Sequence, residues 1–235
     1  MQAGEKELRR SLIVCPASLV YNWQKEISRF APQIKTTLVT GLATERQRIV
    51  RHTKEGEVLI PSYDLLKRDV ELYRDMVFAI QVIDEAQYIK NPGTQAAKGV
   101  KKITAAFKLA LTGTPIENRL SELWSIFDYL MPGFLYTYQK FREEIETPIV
   151  VNKDENKMER LQRMIRPFIL RRLKGDVLKD LPEKLEENVY AKMEGEQLAL
   201  YDAHVQQMKQ MLDGKSEAEF RSNKIQILAE LTKLR

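Results

Sequence analysis

The stretch QVIDEAQYIKN, residues 81–91, is an apolar run that stops at two adjacent carboxylates, Asp84 and Glu85. A short continuous apolar run bounded by polar turns is how a strand buried on both faces reads. In an open parallel sheet, ligands bind beyond the carboxyl ends of the strands, where this pair would sit. An aspartate there can hold Mg²⁺ through water, and the glutamate beside it can orient or deprotonate an attacking water. Taken alone, an Asp-Glu pair more often does no more than open the next turn.

Working outward, similar apolar runs predict strands at Leu12–Cys15, Thr36–Val39, Glu57–Ile60, Ile80–Asp84 and Leu109–Thr112. Helical patterns lie between them. Leu19, Trp23, Ile27 and Phe30 share one apolar face. Thr44 and Gln47 have capping-box spacing, and Ser62–Tyr73 and Thr94–Ile103 read as two more helices. Strand–helix alternation implies an α/β fold, a parallel sheet with helices on both faces. After Arg119 helices dominate, at Ser121–Leu130, Thr137–Ile145, Glu155–Ile165, Glu196–Leu212 and Glu217 onward, with one last strand in Lys184–Met193. The chain thus divides into an α/β part, residues 1–135, and a mainly helical extension, residues 136–235.

Composition narrows the functional classes. The 235 residues are 43% hydrophobic and 30% charged, a globular balance. The longest uncharged run, Ser11 to Gln24, falls short of the roughly 20 apolar residues a spanning helix needs, which excludes an integral membrane protein. One cysteine and two distant histidines exclude a disulfide scaffold and a thiolate zinc site. The charged N-terminus, MQAGEKELRR, carries no export core, so a cytoplasmic location is expected. Net charge is +5, from 38 basic and 33 acidic residues, which permits a polyanionic partner. From Arg163 to Gly175 five basic residues, including Arg171 and Arg172, meet no acidic one. Such an island is either a solvated face or, with Phe168, Ile169 and Leu170 inside it, a docking segment.

Two further segments offer chemistry at strand exits. In LALTGTPIENRL, residues 109–120, Gly113 permits close backbone approach, and Thr112 and Thr114 can sense a phosphate or bridge to the acidic pair. In SLIVCPASLVYNWQKEI, residues 11–27, Pro16-Ala17-Ser18 opens a helix with Ser18 as the natural N-cap, an arrangement that suits a nucleic-acid phosphate. Each also reads as an ordinary loop, with Trp23 as core. Cys15, His52 and His204 carry no functional pattern.

Taken together and in order, these segments resemble the first ATPase lobe of the Snf2 family, the DNA-translocating motors of helicase superfamily 2, in a bacterial form. The segment around CPASLVYNW resembles motif Ia, and IPSYDLLKRD (60–69) resembles motif Ib. IDEAQYIKN (83–91) is similar to motif II, a DEAQ box, and ALTGTPIENRLSELWSIFDYLMPG (110–133) to motif III and its Snf2-type continuation. RPFILRRLKGDVLKDLPEK (166–184) resembles the block that separates Snf2 proteins from ordinary helicases.

The resemblance implies a RecA-like lobe that uses ATP and Mg²⁺ and moves along double-stranded DNA to displace bound protein. It implies that Asp84 holds Mg²⁺ through water, Glu85 activates water, and Gln87 couples the nucleotide to a second RecA-like lobe of the same parent chain. Thr112, Gly113 and Thr114 would line the nucleotide side and link hydrolysis to movement. Pro16, Ser18, Ser62 and Tyr63 would lie along the DNA phosphate backbone, with Arg171 and Arg172 near the interlobe region. A soluble, nucleoid-associated motor with no membrane partner is expected.

Two departures qualify this picture. Pro61 stands where the family often has a hydroxyl residue. No G-x-x-x-x-G-K-[ST] phosphate loop occurs in these residues. The chain is therefore expected to be a fragment, silent in hydrolysis by itself. The alternative is a DNA- or protein-binding module derived from such a lobe.

Overall fold

The computed structural model describes residues 9–113, 120–172, 187–213 and 223–233. They form two compact units, one running to Leu170 and one from Arg171 onward. The first unit opens with β1 (Ser11–Val14), α1 (Val20–Phe30), β2 (Thr36–Val39), α2 (Ala43–His52), β3 (Val58–Pro61), α3 (Tyr63–Asp69), β4 (Val77–Ile83), α4 (Gln95–Lys102) and β5 (Thr104–Ala110). The five strands form one sheet in the order β2-β3-β1-β4-β5, and every pairing is parallel. The expected α/β architecture is present.

Strand β1 lies at the centre, pairing with β3 on one side and β4 on the other, with Val14 opposite Ile83. Alternation along the strands sends neighbouring side chains to opposite faces. Leu12, Val14, Leu59 and Ile83 join an apolar layer with Val50 of α2, Leu66 of α3 and Val100 of α4. Ile13, Val58 and Ile60 face the other way, against Val20, Trp23 and Ile27 of α1. Both faces of the central strands are thereby covered, which is why their sequences read as unbroken apolar runs.

The helices start where local chemistry satisfies their free N–H groups. The Ser62 hydroxyl accepts from the Leu65 N–H at the start of α3, and Thr94 does the same for Ala97 at α4. At α2 the reciprocal contact comes from Glu45, whose carboxylate accepts the Leu42 N–H at 2.9 Å, rather than from Thr44 and Gln47. Leu42 has extended backbone and stands outside the helix, whereas Thr44 already lies in its first turn.

Beyond the sheet come α5 (Leu120–Leu130), α6 (Tyr138–Phe141), a π-helical turn (Arg142–Glu146), α7 (Thr147–Val150) and α8 (Glu155–Ile165). Helix α5 joins two cores. Ile126 and Tyr129 enter the sheet layer, while Leu123, Trp124 and Phe127 pack with Phe141, Ile145, Leu161 and Ile165. The Tyr129 hydroxyl donates to the Gln81 carbonyl at 3.1 Å, and the Ser125 hydroxyl to the Ile89 carbonyl at 2.6 Å. The two apolar clusters meet along α5, which contributes to both, and belong to one compact unit.

Several boundaries differ from the sequence reading. Strand β5 begins at Thr104, well before Leu109, because its small alanines (TAAFKLA) give no strong apolar signal and, at the sheet edge, half of its residues need not be buried. Strand β4 likewise begins at Val77 rather than Ile80. The second unit holds α9 (Gly195–Leu212) and α10 (Lys224–Lys233). Residues 187–193, expected as part of a last strand, form none, and residues 184–186 lie outside the described residues. No helix of the described residues is long and apolar enough to cross a membrane.

Glu57, buried at the entry to β3, joins the sheet to β2. Burial pushes its carboxyl up, but the Lys35 ammonium at 2.6 Å and the Thr37 hydroxyl at 3.1 Å outweigh that and hold it below the usual glutamate range. A depressed carboxylate stabilises the fold above its unfolded value and loses that contribution as pH falls through its folded value. Glu57→Gln should cost about 1–2 kcal/mol at neutral pH. Urea unfolding across pH should show the difference shrinking below roughly pH 4.3.

Candidate active site

Asp84 follows the last residue of β4, and its N–H donates to the Val14 carbonyl at 2.8 Å, so the β1–β4 ladder itself sets its position. Both carboxylate oxygens are engaged. Oδ2 accepts the Trp23 indole N–H at 2.9 Å, and Oδ1 accepts the Glu85 backbone N–H at 2.9 Å. The Asp84 carbonyl accepts the Tyr63 hydroxyl at 2.8 Å. That hydroxyl is pushed well above its usual range, chiefly by burial. The Tyr63 ring stacks on Tyr88 with centroids 5.0 Å apart.

Glu85 adopts left-handed backbone, φ 52° and ψ 56°, rare for a residue with a long side chain. This turns the chain sharply out of β4, so that the Ala86 N–H reaches the Leu111 carbonyl at 2.8 Å. It also aims the carboxylate toward Gln87, whose amide donates to Glu85 Oε2 at 2.6 Å. The Gln87 carbonyl oxygen accepts the Thr112 hydroxyl at 3.0 Å. A continuous polar chain therefore runs Trp23–Asp84, then Glu85–Gln87–Thr112, along the carboxyl ends of β1, β4 and β5. Asp84 and Glu85 both remain partly open to solvent. Cys15 lies nearby, and burial with help from Asp84 pushes its thiol up to about 12, leaving it protonated and inert.

The donor set fits one kind of ion. Among the described residues no three His, Cys, Asp or Glu side chains come together to make a cage. Mg²⁺ is commonly held by one or two carboxylates, waters and substrate phosphates. A single fixed aspartate with solvent access suits that role.

Of the residues singled out in the sequence, Asp84, Glu85, Gln87 and Thr112 are brought together. Gly113 is exposed, with open space where a side chain would begin, and Thr114 lies outside the described residues. Pro16 and Ser18 occupy the loop after β1, on the same sheet end. Ser18 is not a helix cap, however. It sits within a 3₁₀ turn, Ala17–Leu19, and α1 starts without a side-chain cap. Ser62 and Tyr63 require a larger correction. Their side chains are only 4% and 3% exposed, spent on capping α3 and on the Asp84 carbonyl, so neither side chain can lie along a DNA backbone. Arg171 and Arg172 are exposed and open the second unit. The sequence reading took Trp23 for core alone. The signal available was its polar handle: a half-buried indole N–H needs a partner, and α1 begins beside the end of β1.

Comparison with known proteins fits this geometry. Residues 1–235 match the SNF2-related domain family. An uncharacterised ATP-dependent helicase of Mycoplasma genitalium is 40% identical over 232 residues, covering 98% of this chain and 21% of that protein. Human TATA-binding protein-associated factor 172 is 37% identical over 205 residues, covering 82% of this chain and 11% of that protein. The chain thus spans a minor share of the curated relatives it matches. Among solved structures, the Sulfolobus solfataricus SWI2/SNF2 ATPase core in complex with double-stranded DNA superposes with a TM-score of 0.65 at 37% identity, over 97% of this chain and 47% of that one. A parallel RecA-like sheet, a carboxylate pair at its ligand edge and a family match along every residue lead to one conclusion: this chain belongs to the SNF2-related domain family.

Proposed function

We propose that this chain is part of the first lobe of an ATP-driven motor that moves along double-stranded DNA and displaces bound protein. The observation that carries this reading is the polar chain from Trp23 to Thr112 at the carboxyl ends of the central strands. Mg²⁺, when bound with ATP, neutralises charge on the phosphate oxygens. Asp84 would hold that ion through water. Glu85 would orient the attacking water and accept its proton. Gln87, bonded to both Glu85 and Thr112, would pass the state of the nucleotide to the β5 exit loop, and Gly113 would leave room for a phosphate.

The DNA side of the proposal rests on half-buried Pro16 and exposed Ser18, on the same sheet end, and on Arg171 and Arg172. The segment at Ser62 would contribute backbone rather than side chain. Contacts of this kind read phosphate and not base edges. A motor acting on DNA would work in the nucleoid of a bacterial cytoplasm.

Further polypeptide of the same parent protein is proposed to complete the site with a phosphate loop and an arginine finger from a second lobe. Support comes from the sheet itself. On the face that α1 covers, the register continues through Ile80, Phe107 and Leu109, which are 39%, 57% and 40% exposed. An apolar sheet face left open at that width calls for a covering element. The chain alone is then expected to release no phosphate from ATP above background on adding DNA; turnover matching a complete motor would overturn the fragment reading.

Three measurements test the assignments in the parent motor. Glu85→Gln should lower phosphate release about 10²–10⁴-fold while nucleotide binding, read by fluorescence anisotropy, persists. Glu85→Gly should abolish hydrolysis equally, yet raise stability to urea by roughly 0.5–1 kcal/mol by relieving the left-handed backbone. Replacing Arg171 and Arg172 together by Ala should flatten the slope of log affinity against log salt by about 2, equally for unrelated duplex sequences.

A further inference from the structure

Trp23 does two jobs that need not coincide. Its ring packs with Ile13, Val20, Ile27 and Val82 on one face of the sheet. Its N–H donates to Asp84 Oδ2 across 61 positions of sequence. Packing alone would be met by any large apolar ring, and a buried indole N–H commonly finds a neutral carbonyl, as Trp124 does with the Tyr136 carbonyl at 3.2 Å. Trp23 instead meets the one carboxylate best placed to hold a metal ion.

The geometry at Asp84 gives that contact a consequence. Rotation about the aspartate side chain would swing its oxygens away from the sheet edge. Oδ1 is held by the adjacent backbone N–H and Oδ2 by the indole, so the two donors fix both ends of the carboxylate. A carboxylate offers about four acceptor sites, and two stay open to an ion's water shell. Partners that orient a metal-holding group in this way typically matter 10–100-fold in metal affinity.

We propose that Trp23 is a positioning residue, orienting Asp84 for a hydrated divalent cation through its indole N–H. This rests on the reading of Asp84 as the metal-holding residue. The test uses the chain labelled with ¹⁵N and Mn²⁺ alone as a paramagnetic probe. Trp23 and Trp124 are the only two tryptophans, so the indole region holds one reporter and one internal control. In the unaltered chain, Mn²⁺ should broaden the Trp23 indole and Glu85 amide signals and spare Trp124. In Trp23→Phe, the Mn²⁺ concentration that halves the Glu85 amide signal should rise about 10-fold or more. An unchanged concentration would overturn the positioning role and leave the metal reading standing. Absence of broadening near Asp84 in the unaltered chain would overturn both. Should Trp23→Phe fail to fold, Asp84→Asn provides the second measurement. It should move the Trp23 indole proton upfield and leave that of Trp124 in place; an unmoved Trp23 signal would overturn the proposal.

Discussion

Parallel pairing of β1 with β4 is the constraint from which the site follows. The ladder runs from Ser11 opposite Ile80 to Val14 opposite Ile83, and the next link is the Asp84 N–H on the Val14 carbonyl. A register shift of one residue would turn every side chain of β4 to the other face. The buried Ile83 would then exchange places with Asp84, and the carboxylate would enter an apolar layer. Because both faces of β1 and one face of β4 are packed, the correct register is strongly favoured, and the strand pairing holds Asp84 at the edge.

Polar side chains then tie the neighbouring segments to that point. Tyr63, at the exit of β3, bonds the Asp84 carbonyl, and Trp23, on the helix after β1, bonds its carboxylate. The two segments that suggested DNA contact in the sequence are therefore each one hydrogen bond from the same residue. On the other side Glu85, Gln87 and Thr112 connect the turn after β4 to the loop after β5. Hydrogen bonds thus tie each of these strand exits to the carboxylate pair, and in the proposed motor they would link a bound polyanion to the state of a nucleotide. The left-handed backbone at Glu85 is held by this same convergence. Such strain costs of order 1–3 kcal/mol and persists where surrounding contacts over-determine it.

Much of the fold was legible because burial on both faces leaves continuous apolar runs. Strands β1, β2 and β3 lie within a residue of where those runs predict them. The exceptions have separate physical causes. Strand β5 is an edge strand built partly from alanine, so the signal that marks a buried strand is weak there. The cap at α2 was misplaced because Glu45 serves a backbone N–H, a role that a leucine at the cap position does not advertise. In the site, Asp84, Glu85 and Thr112 could be named from their places at strand ends and Gln87 from the family resemblance, whereas Ser62 and Tyr63 were given outward side-chain roles that burial withdraws, and Ser18 a cap that a 3₁₀ turn replaces.

The sequence by itself determined a parallel sheet with an acidic pair at its ligand edge, since apolar periodicity and the abrupt stop after Ile83 are local properties of the chain. Only the tertiary structure decided which polar groups hold that pair in place. The bonds from Trp23 and Tyr63 to Asp84 join residues 61 and 21 positions apart. Such contacts exist only once the central strands lie side by side, and no spacing along the chain encodes them.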